Sequence, residues 1–316
     1  MLSGAGLDAV STYTGMRPLA TLGAMPSRAA APDRLLTGFG LAMIGGAPLW
    51  LLATGRTEVT TSADVEASPV TIPAVVVPLV AGMLLARLVP PRLPALQPTV
   101  ADGRAALTRQ VVGLCAVAVV FAVLVLLLGP GSVWYGPVKV ALLLGGAWWV
   151  LRNWPAPPPG GREHRQSLPG LWYWLGPVPA VVGWAWLAYH SPLTGPSDLS
   201  GYRAYDPMVL LTAMLLTFLT ASVLEEIFYR LLLQTRLEAL LGRWPAITAT
   251  ALLYAAMHTH RVGTGPLADT VAVVLMFNGG LGLFLGYLWS RYRNGWAIVA
   301  VHGAVNSLTL LPLLVG

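Results

Sequence analysis

Long apolar stretches separated by short polar ones set the rhythm of this chain. They run over 35–53, 70–88, 111–128, 138–151, 171–189, 208–233, 246–257, 270–289 and 296–314. A helix needs about 20 residues to cross a hydrocarbon layer roughly 30 Å thick. Most of the stretches come close to that length, so the pattern predicts an all-α, polytopic membrane bundle of about nine transmembrane helices. The fourth and seventh stretches are short. The fourth reaches bilayer length if it begins near Val133, and the seventh must start near Arg243 or end below the far surface.

The polar segments divide the chain. Residues 1–34 read as a retained cytoplasmic tail, because the first apolar run starts too far from the N-terminus for a signal peptide. Residues 35–152 form an N-terminal transmembrane section. The stretch 153–170, NWPAPPPGGREHRQSLPG, is rich in Pro and Gly and reads as a linker. A C-terminal transmembrane section fills 171–316.

Composition supports the membrane assignment: 56% of the 316 residues are apolar and only 10% charged, against roughly 25% charged in soluble domains. The net charge of +6 does not point to nucleic acid, because the basic residues sit in short linkers rather than in a patch with interleaved aromatics. Assigned to successive loops, 15 of the 19 Lys and Arg fall on the side of the N-terminal tail, and Arg56, Lys139, Arg203 and Arg261 on the other. The positive-inside rule then places the N-terminus in the cytoplasm, and the apolar, charge-poor composition makes a plasma (inner) membrane the expected location. Trp50, Trp134, Trp149, Trp154, Trp184 and Trp289 lie near run ends, where an interfacial aromatic belt is expected. The lone Cys115 excludes an intrachain disulfide and a cysteine metal site.

Ionisable groups inside a membrane helix each cost at least about 2.5–3.5 kcal/mol at the centre, so they face a cavity or one another. Three such sets fall in the last helices. In Ser222-Val-Leu-Glu225-Glu226-Ile-Phe-Tyr229-Arg230, Glu226 and Arg230 are spaced for an i,i+4 ion pair. Adjacent helical positions diverge by about 100°, so Glu225 faces elsewhere, without a local partner, and is the candidate base. On this reading Glu225→Gln leaves the fold untouched while Glu226→Gln strands a cation. The second set is Tyr254-Ala-Ala-Met-His258 and the third His302-Gly-Ala-Val-Asn306. Against these stands a structural reading of the first set, an ion-paired helix end at the cytoplasmic surface. Other polar residues take that kind of role: His190 and His260 near helix ends, His164 solvated in the linker, Asn278 in an interhelical hydrogen bond, and Lys139 snorkelling from a helix start.

Glu-Glu-x-x-x-Arg, then aromatic-x-x-x-His, then His-x-x-x-Asn, in order and on separate helices, resembles the CPBP family (CAAX proteases and bacteriocin-processing enzymes, also called Abi), which includes the type II CAAX prenyl endopeptidases. The similarity covers about 208–310, and the Gly-rich run with Gly279, Gly282 and Gly286 fits it. Tyr254 stands where the family usually has Phe, adding a hydroxyl that must be satisfied, and Leu231 stands where Gly is common. The resemblance implies an intramembrane endopeptidase acting on a membrane-associated protein or peptide, with Glu225, His258, His302 and Asn306 catalytic and Glu226 and Arg230 supporting them. Glu225 would activate a water held by His258, and His302 and Asn306 would donate to the oxyanion. In the other version Glu225, His258 and His302 ligate a zinc ion; both versions stay open, so the cofactor is zinc or none. A different class of function on the same scaffold is a non-enzymatic bacteriocin-immunity or partner-binding protein. The expected partners are the substrate and the lipid bilayer, with no nucleic acid.

Overall fold

A computed structural model describes residues 31–61, 68–90, 103–129, 131–156, 170–195, 198–258 and 265–315. The linker between 157 and 169, most of the N-terminal tail, His164, His260 and Arg261 lie outside the described residues.

Helix covers every apolar run. The first is α1 (Ala31–Ala53), followed by a two-residue antiparallel ribbon, β1 (Glu58–Val59) on β2 (Val70–Thr71), with Glu58 opposite Thr71. Thr71 caps α2 (Ile72–Leu88) by accepting from the Ala74 amide, and Pro73 in its first turn gives up a hydrogen bond no helix would have used. Then come α3 (Arg104–Leu128) and α4 over 135–153, with a π-helical stretch at Ala141–Gly146. The fifth run splits into α5 (Gly170–Leu175) and α6 (Val178–Tyr189). The C-terminal group is α7 (Pro207–Leu241), α8 (Arg243–Ala256), α9 (Leu267–Tyr292) and α10 (Gly295–Leu310). Among the described residues, four helices, over 33–53, 104–128, 207–241 and 267–292, are long and apolar enough to cross a membrane. The short seventh run does begin at Arg243, with Gly242 at φ +86° forming the hinge from α7.

The helices pack around α9. Its most apolar 18-residue window is 78% buried, while those of the other three long helices lie between 17% and 28%. α2 packs on α6 and α9, α8 on α9 and α1, and α10 on the middle of α7. Large side chains such as Phe39, Val112, Leu127, Trp148 and Leu216 point outward, an apolar surface that suits lipid and not water. Trp50, Trp134 and Trp149 share that exposure, but Trp184 and Trp289 do not belong to a belt. Trp184 is buried against Phe284, and the Trp289 indole donates to Thr235 Oγ1 at 2.9 Å. Nearness to a run end does not separate a lipid-facing ring from one on the core face of a helix.

The glycines of α9 set its spacing. A β-carbon at Gly282 would stand 2.9 Å from Ala251 Cα, and one at Gly286 would stand 2.9 Å from Gln234 Oε1. Small residues let membrane helices approach this closely, and the Ala251 backbone cannot swing away as a side chain would. Gly282→Val is therefore expected to lower the melting temperature in detergent, with overpacking costing about 1–3 kcal/mol. An unshifted melting curve would show that the α8–α9 contact has slack.

Candidate active site

The two adjacent glutamates sit where α7 leaves regular α geometry. Phe218–Val223 and Ile227–Gln234 are π-helical, and Leu224–Glu226 is the short α segment between them. Wider turns of this kind occur often at functional sites, because they aim side chains that a uniform helix would direct elsewhere. Both carboxylates are about 1% exposed. Burial this complete requires that each charge be matched.

Each is matched by a different helix or turn. Glu226 Oε2 lies 3.4 Å from Arg230 Nε, as the i,i+4 spacing predicts, and the Arg230 guanidinium lies over the Tyr254 ring at 5.0 Å. Glu226 has a second contact that the spacing did not reveal: its Oε1 is 2.8 Å from His302 Nδ1. Glu225 is not without a partner. Lys139 Nζ forms an ion pair with Glu225 Oε1. Lys139 is itself buried, 3.4 Å from the Tyr135 hydroxyl and 5.2 Å from the centre of that ring. Snorkelling to the surface is thus the wrong description of Lys139. The available signal was the fourth run itself: extending it to near Val133 moves Lys139 inward, and an intramembrane cation then needs an acid.

His302 stands between the two acids. Its Nδ1 meets Glu226, its Nε2 is 3.2 Å from the Tyr254 hydroxyl, and Nε2 is also 3.9 Å from Glu225 Oε2. The extra hydroxyl of Tyr254 is therefore satisfied within the site. Glu225 Oε2 accepts no hydrogen bond from the described residues. Asn306, one turn beyond His302 on α10, donates from Nδ2 to Ser222 Oγ at 3.0 Å. His258 lies just past the end of α8, with Nδ1 2.8 Å from the Tyr254 carbonyl oxygen. Asn278 is buried in the π-helical part of α9, but its Oδ1 finds no hydrogen-bond partner among the described residues, so no interhelical bond forms through that atom.

Glu225, His258, His302, Asn306, Lys139, Tyr254 and Asn278 share one wall-to-wall space, an open cavity of about 1200 Å³. Its outer part includes Arg56 and Asp269, ion-paired at 3.0 Å. A carboxylate with one oxygen clamped and the other without a hydrogen bond can accept a proton from a polar reactant, and the imidazole and primary amide lining the same cavity can donate to a new oxyanion. A metal fits this arrangement less well. Among the described residues no three His, Cys, Asp or Glu side chains converge as a ligand set. Glu225, His258 and His302 line the same space without forming one, and a lysine occupies the carboxylate oxygen that a cation would take.

Residues 207–308 match the family described as type II CAAX prenyl endopeptidase Rce1-like. The match takes in every residue of the three motifs and leaves out Lys139 and Tyr135. No curated protein and no solved structure matches the chain.

Proposed function

We propose that the chain is an integral membrane protease that hydrolyses a peptide bond by a glutamate-activated water, a reading supported by the match of residues 207–308 to the type II CAAX prenyl endopeptidase Rce1-like family and by the apolar helices. The observation that carries this reading is the buried Oε2 of Glu225, which takes no hydrogen bond from the described residues, in a residue that borders a cavity with His302, Asn306 and His258.

The chemistry follows from the placement. A water bound at Glu225 Oε2 gives up a proton to the carboxylate while its oxygen bonds to the carbonyl carbon. The carbonyl π pair moves onto oxygen, and His302 and Asn306 donate to that oxyanion. The 3.9 Å gap between Glu225 Oε2 and His302 Nε2 allows one oxygen to stay within hydrogen-bond reach of both groups. His258 helps to hold the water. When the intermediate collapses, the C–N bond breaks and the departing amine takes the proton from Glu225. Glu226 keeps the His302 ring in place, and Arg230 balances Glu226.

The substrate is a membrane-associated protein or peptide, reached from the open side of the cavity. Comparing the C-termini of the membrane proteome in cells carrying wild type or Glu225→Gln, at equal protein level, tests the assignment. Termini that vanish with the carboxylate are expected. An identical set in both strains would favour a non-enzymatic role on the same scaffold.

The proposed orientation puts the N-terminus in the cytoplasm of a plasma (inner) membrane, a reading supported by the distribution of Lys and Arg. In a Cys115-free background, cysteine at Arg104 should label from the cytoplasm and cysteine at Leu199 from outside. Labelling of both from one side would overturn this orientation.

A further inference from the structure

Lys139 lies outside the family match, on a helix of the N-terminal section, yet it is one of the two cations buried against the paired glutamates. We infer that Lys139 is a positioning residue for Glu225, holding the base as a carboxylate with one oxygen clamped and the other free to take a proton. The inference rests on the reading of Glu225 as the base.

Three observations point this way. The pairing is one cation to one acid: Arg230 serves Glu226 and Lys139 serves Glu225, so neither base nor support depends on the other's counter-charge. The contact is one-sided, since Lys139 meets Oε1 while Oε2 takes no hydrogen bond from the described residues and faces His302. The lysine is also fixed from behind, by the hydroxyl and the ring of Tyr135 one helical turn earlier. Glu225, Lys139, Tyr254 and His302 all border the cavity. A buried carboxylate with no counter-charge protonates instead of staying charged, and a protonated Glu225 cannot act as a base. During attack the charge on Glu225 passes to the oxyanion, so Lys139 keeps a negative partner in its neighbourhood throughout. A blocking role would require the lysine to cover the oxygen that reacts, and it covers the other one.

The test uses full-length protein in cells, reading the rate at which Glu225-dependent C-termini appear after a pulse of new synthesis. Glu225→Gln sets the zero of the assay. Lys139→Met is expected to slow that rate by about 10–100-fold, less than the roughly 10²–10⁴-fold of losing the base outright, and Lys139→Arg to keep most of it. Should Lys139→Met accumulate poorly, Lys139→Gln, which keeps a donor for Oε1 without the charge, carries the test at matched protein level. A purely structural lysine would leave the folded Gln variant as fast as wild type, and that result would overturn the inference. A faster Lys139 variant would overturn it too, by revealing a lock. If Glu225→Gln itself changes no termini, the proposed function falls, and the role of Lys139 falls with it.

Discussion

Glu225→Gln is expected to lose cleavage by about 10²–10⁴-fold, the usual weight of a positioned general base. It should also lose stability, contrary to the sequence expectation that the fold would be untouched. The amide can still accept from Lys139, but it cannot match the charge, and Lys139 is buried beside it. Breaking a buried ion pair by removing one partner costs about 3–5 kcal/mol. The double variant Glu225→Gln with Lys139→Met leaves no lone charge, so its melting temperature should return toward wild type while cleavage stays absent. Melting curves in detergent and the C-terminal readout on the same preparations separate the two effects. Recovery of cleavage in the double variant would remove Glu225 from the base role.

Glu226→Gln should be the more damaging change to the fold. Arg230 is fully buried, its guanidinium makes no hydrogen bond among the described residues, and Glu226 is its ion-pair partner. The loss again falls near 3–5 kcal/mol, and His302 loses its anionic partner at Nδ1 in the same step. Adding Arg230→Met should restore much of the stability but little of the cleavage, because His302 is then held by a neutral amide. If the double variant regains both, Glu226 serves packing alone and His302 needs no orienting charge.

The sequence made the bundle legible because the bilayer imposes a length and a composition that few soluble elements share. The Glu226–Arg230 pair was equally plain, since i,i+4 spacing survives the change from α to π turns at that point. Two kinds of information were out of reach. Contacts between distant segments, such as Lys139 with Glu225 and Trp184 with Phe284, depend on which helices become neighbours, and one chain's hydropathy does not say. The same holds for His302, whose position on a helical stripe with Asn306 was visible while its bridging of Glu226 and Tyr254 was not. The π-helical turns on either side of the glutamates also have no sequence mark that composition or spacing would reveal.

The buried centre holds two carboxylates and two cations in matched pairs, Glu225 with Lys139 and Glu226 with Arg230. Its sum of fixed charge is zero. A charged residue beside a scissile bond would surrender its hydration on entering and meet no unmatched opposite charge in return, a transfer that costs several kcal/mol. On the proposed peptidase reading, such an electroneutral centre is expected to favour uncharged stretches of polypeptide and to disfavour a lysine or aspartate next to the bond.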